Sequence, residues 1–152
     1  MDRVEVDGVV RHTLSTYRVV AFFADVALWE SYIDTWSADF RDQLLIKAST
    51  KSAIGRDMRG GLRELTEANE RLVAAITDGK IRQNGNATLR RHVLNARRRL
   101  NQYGLSFGKD GRESKRKVDG YAALMLAYLA YWKLMESGKR SGPVDRRVVV
   151  FR

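Results

Sequence analysis

Apolar residues recur along this chain with two different periods, and the alternation between them is the first clue to its architecture. Val6, Val9, Val10, Thr13, Leu14 and Tyr17 fall at helical spacing, so residues 4–17 read as an amphipathic helix. Val19 to Ala24 is an unbroken apolar run rich in β-branched and aromatic residues, which predicts a strand buried on both faces and ending at Asp25. Trp29, Tyr32, Ile33 and Trp36 mark one face of a helix over 27–37, and Leu44 to Ala48 reads as a second strand. Met58, Leu62, Leu65, Leu72, Val73 and Ile76 predict a long helix over 53–77, closed by Asp78-Gly79, where glycine suits a left-handed C-terminal position.

Beyond Gly79 the pattern loosens. Asn84-Gly85-Asn86 reads as a turn and 88–96 as a short helix. Residues 97–100 and 105–107, bounded by Gly104 and Gly108, read as a hairpin or as irregular strands. Val118 to Glu136 is a helix with Val118, Ala122, Met125, Leu129 and Trp132 along one side. The tail after Glu136 fits an edge strand or disorder equally well. Helices alternating with strands make the fold class α/β, a partial mixed sheet flanked by helices in one domain over 1–137, followed by a basic tail over 138–152.

Composition narrows the chemistry. The 152 residues include no Cys, which excludes disulfides, thiolate zinc sites and Fe–S clusters. The longest apolar stretch, Tyr121 to Trp132, is about twelve residues against the roughly 20 that a bilayer demands, and no signal peptide is visible. A soluble chain in the cytoplasm is expected. Charge is unevenly placed: Lys80 to Lys117 holds twelve of the 28 basic residues and two of the 18 acidic ones, leaving 16 of each sign elsewhere. A neutral body with one basic segment points to a polyanion as partner.

Three places could carry chemistry. Asp25 ends a strand, where ligands of open α/β sheets gather, although a helix cap is the plainer role for it. Asp119 follows Lys115, Arg116 and Lys117; with Ser114 as the cap, these cations would occupy the opening turns of the last helix and hold an anion there. Arg90, Arg91, Arg97, Arg98 and Arg99 have forked guanidinium groups suited to phosphate oxygens. Between them stand His92, as a ligand, a proton carrier or a hydrogen-bonded packing residue, and Asn95. Trp29 and Trp36, and Tyr128, Tyr131 and Trp132, are expected in the core. Gly104 to Lys109 does not match a Walker A loop, since three residues separate its glycines and Asp110 replaces the Ser or Thr.

Four segments, in order, carry a resemblance: Tyr17 to Asp25 with Trp29, Ala75 to Asn86, Leu89 to Ala96, and Lys117-Val-Asp119-Gly-Tyr-Ala122-Ala123. Together they resemble the C-terminal nuclease domain of tailed-phage terminase large subunits. That resemblance implies an RNase H-like fold and a metal-dependent endonuclease that cuts concatemeric viral DNA with two Mg²⁺ or Mn²⁺ ions. It makes Asp25 and Asp119 two of the metal ligands and brings them to one end of the sheet. It implies double-stranded DNA, the terminase ATPase domain, the small terminase subunit and the portal as partners. The family's first acidic residue lies on a strand preceding the first helix here, so a truncated relative, inactive alone, is expected. The strand over 19–24 would then show an open edge and favour self-association. The turn that often holds His in that family reads Gln83-Asn84-Gly85. A non-catalytic nucleic-acid-binding module using residues 80–117 is the alternative.

Overall fold

The first helix is set by its cap: the Asp2 carboxylate accepts from the Val4 N–H at 2.9 Å and opens α1 (Arg3–Thr16). Its buried stripe is narrower than the pattern suggested, with Val6 and Val10 half-buried, Leu14 buried and Val9 exposed. The computed structural model describes residues 2–111 and 113–139, and the tail from residue 140 lies outside them. Among the described residues the order is α1, β1 (Ala24–Asp25), α2 (Glu30–Asp39), β2 (Gly55–Arg56), α3 (Leu62–Thr77), α4 (Ala87–Asn95), β3 (Arg97–Asn101), β4 (Gly104–Gly108) and α5 (Asp119–Glu136). The fold is mixed α/β with small sheets, and it divides into two compact units.

The first unit spans the chain to Met58 and takes in α5 from Ala130 onward. Ile33, Trp36, Leu44, Ala53 and Ile54 form its buried cluster, with Phe22, Trp29, Tyr32 and Phe40 packed around it. Trp36 donates its indole N–H to the Asp7 carboxylate at 2.6 Å, and Arg11 holds the same carboxylate at 3.0 Å while reaching Asp39 at 2.7 Å. These bonds fix α1 on α2.

Both predicted strands of this unit need correction. Of the run 19–24 only Ala24 lies in a strand, β1, which pairs in parallel with β2 over two residues. Val19 to Phe22 are half-buried and Phe23 is buried, and the Val20 carbonyl accepts from the Leu45 N–H at 2.8 Å. Residues 44–48 keep the alternation of a strand, with Leu44, Ile46 and Ala48 buried, but Ala48 N–H donates to Ala53 O at 2.9 Å and the segment folds back on itself. The long helix predicted from residue 53 starts at Leu62 instead. Ile54 is buried in the core, Gly55-Arg56 is drawn into β2, and Gly61 sits at a left-handed φ of 63°.

The second unit runs from Arg59 to Leu129. Leu65, Ala68, Leu72 and Ala75 make the buried face of α3, which ends with Gly79 at φ 67°, as its sequence implied. Asn86 caps α4 through Leu89 N–H at 2.8 Å, and β3 and β4 form an antiparallel hairpin against α3. A buried polar chain joins three elements: Tyr121 O–H donates to Asn69 Oδ1 at 2.7 Å, and Asn69 Nδ2 donates to Leu105 O at 2.7 Å. Phe107 meets the Tyr121 ring edge-on with centroids 4.7 Å apart. Among the aromatic residues expected in the core, Trp36 is buried and Trp29, Tyr128 and Trp132 are half-buried. Tyr131 is 55% exposed, because it falls on the outer side of α5.

Candidate nucleic-acid interface and its acidic positions

The start of α5 lacks an ordinary cap. Val118 O accepts the first helical bonds, from Tyr121 and Ala122 at 2.9 and 3.0 Å, so Val118 stands at the cap position with no side-chain oxygen to offer. The orphan N–H of the second helical residue, Gly120, donates instead to His92 Nδ1 at 2.8 Å. One turn along α4, Asn95 Nδ2 donates to Lys117 O at 2.9 Å. A donating backbone N–H requires Nδ1 to accept, which sets the imidazole as the tautomer protonated at Nε2. Gly120 permits this approach, since a Cβ there would lie 2.8 Å from His92 Nδ1.

The backbone is therefore held on both sides of Asp119. Its carboxylate is exposed on the first turn and, among the described residues, has no hydrogen-bond or ion-pair partner. It also sits where the helix dipole favours negative charge. Ser114 is not the cap: its hydroxyl accepts from Arg116 N–H at 3.2 Å and closes a local turn. Lys115, Arg116 and Lys117 thus precede α5, and they oppose its dipole less than cations inside the first turn would.

The basic residues divide by partner. Arg90 and Arg91 are exposed on α4. The three arginines of β3 are exposed too, but alternation along a strand puts Arg98 on the opposite face from Arg97 and Arg99. Arg97 Nε reaches Asp110 at 3.4 Å, and Arg99 donates to the carbonyls of Lys109 and Asp110 at 2.6 and 3.0 Å. Arg116 approaches the same Asp110 carboxylate at 3.9 Å. Asp110 and its loop thus occupy part of the charge that the sequence count treats as free.

Asp25 belongs to the first unit, Asp119 to the second. Asp25 does not cap α2, whose cap position is Trp29. Its half-buried carboxylate accepts from the N–H groups of Ala27 and Met58, each at 3.4 Å, and so closes the turn after β1. That turn contains Leu28, 74% exposed and at φ 68°, a backbone setting uncommon for a leucine. Among the described residues no three His, Asp or Glu side chains gather closely enough to hold a metal ion.

Sequence reasoning passed over Asn69 and Tyr121, whose signal was a polar residue on the apolar face of each helix. Burial pushes the Tyr121 phenol up to about 12. It also passed over a recess of about 380 Å³ in the first unit, where Arg41, Lys47 and Lys51 meet. A tally that finds equal charges outside 80–117 hides that grouping.

No family model matches the chain, and no solved structure matches it. It is similar to the Gene 13 protein of Mycobacterium phage L5, with 36% identity over 152 residues that cover 99% of this chain and 25% of that protein. The Gene 13 protein of Mycobacterium phage D29 is 36% identical over 141 residues, covering 91% of this chain and 24% of that protein. These relatives are bacteriophage proteins, and the chain spans about a quarter of their length.

Proposed function

We propose that this chain is part of a phage DNA-packaging nuclease, the RNase H-like nuclease region of a terminase large subunit, which binds double-stranded DNA through its basic segment. The observation that carries this reading is the bracing of Asp119 by α4. His92 and Asn95 come from one segment of the resemblance, Lys117, Asp119 and Gly120 from another, and two hydrogen bonds join them. A carboxylate that stays exposed while its backbone is held from both sides is well prepared to meet a cation or a phosphate-bound ion. Phage relatives about four times longer agree with a region of a larger phage protein. In this reading the cleavage site takes Mg²⁺ or Mn²⁺, with Asp119 and Asp25 as contributing acids and a further carboxylate from another part of the larger protein. The ATPase domain, small terminase subunit and portal are the partners of the larger protein, in the host cytoplasm. The test is Mn²⁺-dependent nicking of supercoiled plasmid, with Asp119→Asn separating cleavage from DNA binding.

A second reading, a non-catalytic nucleic-acid-binding module, draws on the exposure of Arg90, Arg91, Arg97, Arg98, Arg99, Lys115, Arg116 and Lys117 in one unit. It requires salt-sensitive DNA binding without metal-dependent cleavage.

A further inference from the structure

The recess in the first unit lies far in sequence from the basic segment and needs its own explanation. One wall is the face of α2 that carries Asp34 and Ser37, continued by Arg41 beyond the helix end. The other wall is the fold-back at 47–53, where Ser49 N–H donates to Ser52 O at 3.1 Å and Ser52 N–H donates to Ser49 Oγ at 3.0 Å. This tight turn presents Lys47 on its entering limb and Lys51 at its tip. Asp34 is the one acid in the lining, so the recess carries a net charge of +2 from Arg41, Lys47, Lys51 and Asp34. Among the described residues none of these four side chains is engaged in a hydrogen bond or ion pair.

The hydroxyls add a neutral donor. Ser37 and Ser52 lie 3.1 Å apart, and Ser52 Oγ already accepts from Gly55 N–H at 2.8 Å. The two hydroxyls own two protons and their mutual bond consumes one, so one O–H remains to donate elsewhere. Three cations and an O–H around a concave space of about 380 Å³ suit a small oxyanion, because a cleft of net positive charge raises the local potential for anions. Arg41 offers a planar fork for two oxygens, while the lysines offer point charges.

We propose that this recess binds a phosphate group, either a phosphodiester of nucleic acid or the phosphate of a small molecule, through Arg41, Lys47, Lys51 and the Ser37–Ser52 hydroxyl pair. The proposal does not depend on the nuclease reading. It is tested by titrating the isotope-labelled full chain with inorganic phosphate against chloride at constant ionic strength, following the backbone amides. Saturable shifts centred on Thr50, Lys51 and Ser52 are expected, with half-saturation raised about tenfold or more in Lys47→Ala/Lys51→Ala, since each cation makes a charge-assisted bond. Lys51→Glu, at the tip of the turn, serves if the double variant fails to fold, and it should abolish the shifts. Shifts no greater than those in chloride, or unchanged by these substitutions, overturn the proposal. Duplex DNA that displaces phosphate from the same amides identifies the phosphodiester as the source, and DNA that leaves them unmoved identifies a small phosphorylated ligand. Saturable phosphate binding in a chain that ignores DNA upholds the recess and defeats the nucleic-acid reading alone.

Discussion

Gly120 gives its backbone N–H to His92 Nδ1 at 2.8 Å, so a side chain on one helix caps the start of another 28 residues later in the chain. The bond replaces the cap that Val118 cannot supply, and it leaves room for nothing larger than glycine at the second position of α5.

Adding a methyl group at Gly120 should therefore push α4 away from α5. Gly120→Ala is expected to cost about 1–3 kcal/mol from overpacking, and His92→Ala about 1 kcal/mol from the lost cap. The double variant should be less damaged than the sum of the two, because removing the imidazole removes the clash. Urea unfolding of the four proteins checks this, and strict additivity would mean that the two residues do not meet.

Tyr121 offers a separate handle through pH. Burial raises its phenol to about 12 from the ordinary 10, so the fold favours the neutral form. The stability linked to this group is complete below about pH 10 and is lost as pH rises towards 12. The difference in stability between the natural chain and Tyr121→Phe should shrink across that interval. At neutral pH Tyr121→Phe should cost about 1–3 kcal/mol, because Asn69 Oδ1 loses its donor in a buried place. A difference that stays constant with pH would place the phenol in water.

DNA binding should be weak, indifferent to sequence and steep in salt. If about five cations meet phosphates, log K falls with log salt at a slope near −4 to −5. Replacing Arg90 and Arg91 by Ala should reduce the slope by about 2 and leave stability unchanged, since both stand exposed on α4. Replacing Arg97 and Arg99 should also loosen the loop at Asp110 that they hold. Filter binding across a salt series, paired with thermal melts, separates the two effects. A slope near zero would remove the polyanion from consideration.

The helices were legible because their evidence is local: the stripe from Leu65 to Leu72, the capping Asn86 and the left-handed Gly79 all lie within a turn or two of what they determine. The hairpin was one of the two readings that its bounding glycines allowed. The strands were not legible, because an apolar run such as Val19 to Ala24 records only that it is at least partly covered, while pairing depends on Gly55-Arg56, some 30 residues away. Asp119 was visible as an acid among cations, but its bracing was not. That depends on a valine at the cap position and on a histidine from α4, and neither carries a signal in α5 itself. The sequence reading grouped the three β3 arginines together, and strand alternation divides them. The role of Asp110 in holding two of the surrounding arginines was not legible.

Cleavage is the most direct test of the proposed function. Supercoiled plasmid is incubated with Mn²⁺ and this chain, with the chain lengthened towards the size of its phage relatives, and with the Asp119→Asn form of each. The expected result is little or no nicking by the chain alone, clear nicking by the lengthened protein, and loss of that nicking in Asp119→Asn with DNA binding retained. Nicking by the lengthened protein that survives Asp119→Asn, or no metal-dependent nicking in any form, would contradict it.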